Sequence, residues 1–100
     1  MKKYRIIWTE PAATDLEALH HFIALDDPRA AQRVAAEIVQ RTSQLDAMPL
    51  RGRPGRDPLT RELVLSGWPW IVVYEIVQDE VQILRVFHAA QDRMDEDAPS

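Results

Sequence analysis

The sequence predicts an α+β domain in the order β-α-α-β-β-β, with a helical hairpin packed on one face of a mainly antiparallel four-stranded sheet. Two segments in the first half of the chain carry apolar residues at helical spacing. After a loop rich in proline and glycine, the pattern changes to that of strands. A chain of 100 residues is the length of one domain, which we assign to residues 1–92, with an acidic tail at 93–100.

The first strand and the first helix follow each other directly. Lys3–Trp8 is short, aromatic and β-branched, which is typical of a strand. Thr9 offers an N-cap oxygen, and Pro11 falls in the first helical turn, where a missing N–H costs nothing. One apolar stripe then runs along the helix through Ala12, Leu16, Leu19 and Ile23.

The dipeptide Asp27-Pro28 separates two helices. A residue before proline is pushed out of the α region, so the first helix ends here. Asp27 also caps the second helix, which we expect to extend to about Met48. Its stripe comprises Ala31, Val34, Ala35, Ile38, Thr42 and Leu45. The short joint between the helices predicts a helical hairpin.

The second half of the chain reads as a loop and three strands. Pro49–Pro58, which we call the arginine loop, holds three prolines, two glycines and three arginines. The strands are expected at Arg61–Leu65, Trp70–Val77 and Val81–Phe87. The polar connection Gln78-Asp79-Glu80 predicts an antiparallel hairpin between the last two strands.

Both faces of this sheet are largely apolar. Alternation places Trp70, Val72, Tyr74 and Ile76 on one face, opposite Ile71, Val73, Glu75 and Val77. In the last strand it sets Leu84 and Val86 against Val81, Ile83 and Phe87. One helical hairpin covers only one face. We therefore expect a partner or a second copy of the chain to cover the other, because the tail is short and acidic.

Composition excludes several classes of protein. Hydrophobic residues make up 46% and charged residues 28%, which is a globular balance. The absence of cysteine excludes disulfides and a thiolate nucleophile. No apolar run is long enough for a membrane span or a signal peptide, so we expect a cytoplasmic protein with no membrane contact. A net charge of −4 argues against direct sequence-specific nucleic-acid binding.

Charge is unevenly distributed along the chain. Residues 10–27 hold five acids and no lysine or arginine, and residues 92–97 hold four acids. Between them, the segment Arg51–Arg61 holds four arginines and one acid. Arg51, Arg53 and Arg56 are candidates for binding a phosphate or an acidic protein surface, and the alternative is a solvated, mobile loop. Arg61 is a further candidate.

Three residues in the strands are further candidates. Arg85 either contacts a partner or pairs with Glu75 on the neighbouring strand, and we favour the ion pair. His88 is either a general acid–base group or, as we favour, a strand-end histidine bonded to backbone. Of Trp68 and Trp70, we expect one in the core and one at an interface.

No metal or cofactor site is expected. His20 and His21 point about 100° apart on a helix, so they cannot chelate one ion together. Glu17 and His21 have chelating spacing, but a pair of ligands is weak evidence and a solvated helix face is the favoured interpretation.

Several segments together resemble the ParE toxins of the RelE/ParE superfamily, which belong to type II toxin–antitoxin systems and are often called plasmid stabilisation proteins. The segments are Gly52-Arg53-Pro54, Arg61-Glu62-Leu63, Trp68-Pro69-Trp70, Trp70-Ile71-Val72-Val73-Tyr74 and Ile83-Leu84-Arg85-Val86-Phe87-His88, with Asp92 beyond. The resemblance covers nearly the whole chain. It departs from the ParE pattern at Ala89-Ala90-Gln91, where a basic residue is usual.

The superfamily implies two modes of action. RelE-like members are ribosome-dependent mRNA endonucleases, and ParE-like members poison DNA gyrase by binding. RNA cleavage needs cations to stabilise the phosphorane. Where the cleaving branch has arginine or lysine, this chain has Ile71 after the strand-opening aromatic, Glu62 and Val64 in the second strand, and Gln91 after the last.

The resemblance therefore implies a gyrase-binding toxin without catalytic residues, neutralised by a cognate antitoxin in a hetero-oligomer. An RNA-cleaving toxin with displaced catalytic residues and a degenerate toxin that only binds antitoxin stay open as alternatives. The candidate residues for target or antitoxin binding are Arg51, Arg53, Arg56, Arg61, Trp70, Arg85 and His88.

Overall fold

The computed structural model describes residues 3–90. The helices are Glu10–Ala24 (α1) and Pro28–Ser43 (α2). The strands are Arg5–Trp8 (β1), Arg53–Pro54 (β2), Thr60–Val64 (β3), Trp70–Val77 (β4) and Glu80–His88 (β5). The α+β class, the helical hairpin and the order of the predicted elements are confirmed. The tail at 93–100 and the positions Gln91 and Asp92 lie outside the described residues.

Both predicted helix caps are present. The Thr9 side chain accepts a hydrogen bond from the backbone N–H of Ala12 at 3.4 Å, and Asp27 accepts one from Ala30 at 3.1 Å. The second helix is shorter than expected. It ends at Ser43 and tightens into a 3₁₀ turn, Gln44–Asp46, in which Leu45 is fully buried. The Asp46 carbonyl accepts the backbone N–H of Tyr4 at 2.8 Å, which ties this turn to the start of β1.

The sheet has five strands rather than four, in the order β1-β5-β4-β3-β2. The additional strand lies inside the arginine loop, where Arg53 pairs with Glu62 and Pro54 with Arg61. Proline is tolerated there because β2 is an edge strand. Strand β1 is parallel to β5, and the remaining neighbours are antiparallel. A two-residue turn, Gln78-Asp79, joins β4 to β5, with Gln78 at a φ of 57°.

The core lies between the helical hairpin and one sheet face. Its fully buried members include Ile38, Leu45, Val72, Tyr74 and Ile83. Helix α1 packs against β5 and against α2, so its apolar stripe is shared between the hairpin and the sheet.

The predicted faces of the last strand are wrong for Val86 and for Phe87, which pairs with Ile71 on the sheet face away from the helices. Val73 pairs with Arg85 and Tyr74 with Ile83, so Leu84 has no partner on β4 and forms a β-bulge. The extra residue shifts the alternation by one position. Val86 therefore joins Val81 and Ile83 in the core instead of facing away from them.

The sheet face away from the helices keeps exposed apolar side chains. Val64 is 46% exposed, and Val77 and Ile7 are each 37% exposed. Ile71 is buried but is not part of the main core cluster. We call this the outer face. That a partner or a second copy covers it stays a prediction.

Candidate functional site

The arginine loop is held by the hydroxyl of Tyr74, which projects from β4 through the core. This hydroxyl donates a hydrogen bond to the carbonyl of Pro49 at 2.6 Å and accepts one from the N–H of Gly52 at 2.9 Å. Tyr74 is fully buried. Its burial raises the pKa of the phenol, and the Gly52 N–H and the charge of Arg61 oppose that rise.

Arg61 points toward the loop backbone. Its guanidinium donates to the carbonyls of Gly52 at 2.6 Å and Leu50 at 3.4 Å. Gly52 is buried, and a Cβ at this position would lie 2.6 Å from the Tyr74 hydroxyl oxygen. Hydrogen bonds therefore anchor the backbone of residues 49–52, and Arg61 holds the loop instead of extending its surface.

Arg51 and Arg53 project to the surface beside Arg41 of α2. Arg51 donates to the Gln44 side chain at 3.0 Å, and Arg53 donates to Glu62 at 2.9 and 3.1 Å. Arg41 pairs with Glu37 one helical turn earlier, at 3.0 Å. Together the three arginines line a groove of about 300 Å³. We call this the arginine groove.

Arg56 lies apart from that groove, in the turn that leads to β3. Asp57 organises this turn: its side chain accepts the N–H of Leu59 at 2.9 Å and its carbonyl accepts the N–H of Thr60 at 2.9 Å. Arg56 is exposed. Arg56 therefore has different surroundings from Arg51 and Arg53.

Strand register places Arg53 and Arg85 at the two ends of one row across the outer face. The row runs through Arg53, Glu62, Val73 and Arg85. An apolar row, Val64, Ile71 and Phe87, lies beside it. Adjacent strands are about 4.8 Å apart, so the Cα atoms of the two arginines, three strand spacings apart, are separated by about 14 Å. The centre of the outer face is thus mainly apolar, with the carboxylates of Glu62 and Glu75, and its arginines lie at the rim.

The expected pairing of Arg85 with Glu75 is wrong. The bulge at Leu84 sets Glu75 opposite Gln82, and Arg85 turns to α1. There the Asp15 carboxylate accepts two hydrogen bonds from Arg85, at 2.7 and 3.1 Å, and a third from the backbone N–H of Val86 at 2.9 Å. Arg85 therefore helps to join α1 to the part of β5 that β1 does not reach.

His88 and Trp70 lie side by side at the end of the sheet. Their rings meet edge to face, with centroids 5.2 Å apart. The Nδ1 atom of His88 accepts the N–H of Ala90 at 3.1 Å, as the structural interpretation of this residue expects. Trp68 and Trp70 are both half-buried against the core, so neither is the fully buried core residue that was expected of one of them, and an interface role for the other stays a prediction.

The predicted site residues do not converge on one site. Arg51 and Arg53 share a groove, Arg61 lies against the loop backbone, and Arg56 lies in the turn before β3. Arg85 lies at the opposite rim, and Trp70 and His88 lie at one sheet end. Within residues 3–90, no three acidic, histidine or cysteine side chains converge as a metal site. No helix in this range is long and apolar enough to cross a bilayer.

Three residues that hold or line these candidate sites were not predicted from the sequence. Tyr74 resembles any core aromatic, and Asp15 resembles one more acid on an acidic helix. Arg41 carried one available signal, its spacing of four residues from Glu37, but that pattern is typical of a solvated helix face. Tyr74 and Asp15 act through hydrogen bonds between distant parts of the chain, and Arg41 lines the groove together with the arginine loop.

Comparison with known proteins identifies the family of this chain. Residues 6–93 match the family described as ParE toxin of type II toxin–antitoxin system, parDE. The chain belongs to the ParE toxin family. The toxin is 46% identical over 91 residues to a putative toxin, Y4kP, of Sinorhizobium fredii, covering 91% of this chain and 94% of that protein. It is 36% identical over 87 residues to toxin RelE2 of Caulobacter vibrioides, covering 87% and 97%.

Solved structures give the same result for the fold. The toxin matches a chromosomal ParDE toxin–antitoxin system from P. aeruginosa with a TM-score of 0.78 and 31% identity, over 86% of this chain and 96% of that chain. It also matches the RelBE2 toxin–antitoxin complex of Mycobacterium tuberculosis with a TM-score of 0.67 and 29% identity, over 88% and 93%. The toxin is thus of the ParE/RelE type, and its relatives carry both names.

Proposed function

We propose that the toxin acts in the cytoplasm by binding DNA gyrase, without a catalytic step, and that a cognate antitoxin neutralises it in a hetero-oligomer. Where such a pair is encoded on a plasmid, it stabilises the plasmid. The antitoxin part is supported by the solved relatives, which are a ParDE system and a RelBE2 complex. The argument for gyrase rather than ribosome-bound mRNA as the target comes from the side chains on the outer face.

The composition of the outer face carries the argument against RNA cleavage. Its centre holds Glu62, Val64, Ile71 and Val73. A phosphorane intermediate carries extra negative charge, which aliphatic groups cannot stabilise and a carboxylate repels. The rim arginines are about 14 Å apart at their Cα atoms and bound to Glu62 and Asp15. The carboxylates of Glu62 and Asp15 offset the positive charge that would stabilise a phosphorane.

The apolar centre of the outer face suits a protein contact instead. Val64 is exposed next to the buried Ile71, and arginines stand on both sides of this strip. Protein interfaces commonly combine an apolar centre with a polar rim. An antitoxin segment that folds on binding could lay an apolar helix or strand over this strip, with acids toward Arg53 and Arg85.

Two assays on the purified toxin test the target. We expect inhibition of DNA supercoiling by gyrase, reversed by the antitoxin, and no cleavage of mRNA on translating ribosomes. A RelE-type endonuclease serves as the positive control in the second assay. Codon-specific cleavage by the unmodified toxin, with gyrase unaffected, would show that the RNA-cleaving alternative is correct.

A further inference from the structure

The arginine groove combines cations from two elements that are distant in sequence. Arg41 comes from the last turn of α2, and Arg51 and Arg53 come from the arginine loop. The groove holds these three guanidinium groups against one lining carboxylate, Glu62. In a protein with a net charge of −4, this is a local concentration of positive charge.

Arg41 and Arg51 have N–H groups that are available to bind a ligand. Arg41 bonds Glu37 through Nε, and Arg51 bonds Gln44 through one terminal nitrogen. A guanidinium has five N–H groups in a planar fork. Most donors of Arg41 and Arg51 therefore have no protein acceptor among residues 3–90, and such forks bind carboxylates in bidentate pairs.

The groove is formed before any ligand arrives. Tyr74 and Arg61 fix the backbone on both sides of Gly52, and this backbone connects Arg51 to Arg53. Gln44 and Glu62 then hold the two side chains from opposite walls. A preorganised site loses less conformational entropy on binding than a mobile loop.

The size and lining of the groove favour a carboxylate side chain over a nucleic-acid strand. Its volume of about 300 Å³ is at the lower limit of ligand sites. Its walls include the aliphatic Leu63 and Val64 and no aromatic ring on which a base could stack. The acidic chain as a whole also repels a long polyanion.

We propose that the arginine groove, lined by Arg41, Arg51 and Arg53, is a preformed binding site for a carboxylate-bearing segment of an acidic protein partner, and that Tyr74 is its positioning residue. The proposal rests on the proposed function only in taking the partner to be a protein. It places α2 in the binding surface and gives Arg61 a supporting role.

A titration of the full chain with a hexaglutamate peptide, followed by backbone amide resonances, tests the site. Hexalysine is the charge-reversed probe, and a uridine hexanucleotide represents nucleic acid. We expect hexaglutamate to shift the resonances of Arg51, Gly52 and Arg53, and Arg41→Gln to weaken its affinity about fivefold to tenfold. Arg33→Gln, which removes an exposed arginine from the same helix, should change the affinity less than about twofold.

Tyr74→Phe tests the positioning role with the three arginines intact. We expect weaker hexaglutamate binding and faster trypsin cleavage after Arg51, because the loop backbone is released; the bond after Arg53 is protected by Pro54. Unchanged affinity and cleavage in a folded Tyr74→Phe protein would refute positioning by Tyr74. If this variant does not fold, Arg41→Gln against Arg33→Gln decides the site.

Two results would overturn the site itself. Equal effects of Arg41→Gln and Arg33→Gln would mean that only net charge matters. Tighter binding of the hexanucleotide through the same arginines would show that the partner is a nucleic acid. Because these measurements use no gyrase, a negative supercoiling assay with intact hexaglutamate binding would reject the proposed target and leave the groove standing.

Discussion

At the scale of single residues, the Tyr74 hydroxyl determines the shape of the arginine loop. It is the tip of a fully buried side chain, and it donates a hydrogen bond to the Pro49 carbonyl and accepts one from the Gly52 N–H. A buried hydroxyl is favourable only when its hydrogen bonds are satisfied, so the loop and the tyrosine stabilise each other. One side chain thereby connects core packing to the position of surface charges.

Tyr74→Phe should lower the free energy of unfolding by about 1–3 kcal/mol, because a buried N–H and a carbonyl lose their partner. Gly52→Ala should cost at least as much, since its Cβ would lie 2.6 Å from the hydroxyl oxygen. Combining the two changes should cost less than their sum, because phenylalanine removes the nearest of the three clashing atoms, although the ring Cε1 at 2.8 Å and the Glu62 carbonyl oxygen at 2.9 Å remain. Urea unfolding of the two single variants and the double variant measures this coupling; strict additivity would contradict it.

The raised pKa of Tyr74 predicts a loss of stability in alkali. Unfolded tyrosine ionises near pH 10, whereas burial keeps the folded phenol protonated to higher pH. Above about pH 10 the unfolded state therefore binds fewer protons, and the free energy of unfolding falls as pH rises. Below that pH this contribution is fully present. Urea unfolding at about pH 9 and 11 should show a larger loss for the parent than for Tyr74→Phe; parallel losses would argue against the buried phenol.

At the scale of elements, α1 covers the edge of β5 that does not pair with β1. Strand β1 pairs only with the residues from Glu80 to Ile83. At the end of this range the Thr9 hydroxyl donates to the carbonyl of Ile83 at 2.6 Å, and beyond it Asp15 accepts the N–H of Val86. Open strand edges are sites of unwanted pairing, so these contacts protect the sheet while they dock the helix.

Asp15→Ala should destabilise the toxin more than Arg85→Ala. The first change leaves the partly buried N–H of Val86 without its acceptor, at a cost of about 1–2 kcal/mol. The second removes an exposed guanidinium, and its ion pair is worth about 0–1 kcal/mol. Asp15→Asn keeps an acceptor and should fall between them. Thermal melts rank the three variants, and a larger loss for Arg85→Ala would show that the ion pair dominates.

Local signals explain how much of the fold was predictable. Thr9 and Asp27 cap their helices through contacts within three residues, so sequence alone located both helix starts. The bulge at Leu84 and the short strand β2 depend on pairing with distant strands. No local pattern encodes such pairing, and both were missed.

The candidate site was predictable to a similar extent. The concentration of arginines in residues 51–61 indicated the loop, but composition could not tell which arginine faces inward. Arg61 alternates with Leu63 on the core side of β3, and only the strand register shows this. Arg41 joins the groove because the loop folds back beside α2, which is a tertiary contact.

At the scale of the whole molecule, the acid-rich segment and the arginine loop lie at opposite edges of the sheet. The acid-rich segment 10–27 forms α1 and its joint with α2, and α1 docks on β5. The arginine loop borders β3, beyond β4. A partner that approaches the loop side therefore meets positive charge although the chain is acidic overall. Such an asymmetry orients an encounter with an acidic surface.

Replacing Arg51, Arg53 and Arg56 together with alanine tests whether this surface acts in toxicity. The loop backbone is held by Tyr74 and Arg61, so its shape should persist; the principal structural loss is the Arg53–Glu62 ion pair, in which Arg53 is 59% exposed. We expect the free energy of unfolding to fall by no more than about 1–2 kcal/mol. Toxicity and target binding should fall sharply, and the remaining binding should depend less on salt.

The matched control for this triple variant is a core substitution that also lowers toxicity, but through folding. Ile38 is fully buried, so Ile38→Ala should cost about 2–5 kcal/mol and shift the melt downward. Plotting toxicity against melting temperature separates the two causes, because the loop variant should lose toxicity far beyond what its small shift explains. A loop variant with parental melting and parental toxicity would show that the arginines are a solvated surface, and that gyrase contacts, if any, lie elsewhere on the sheet.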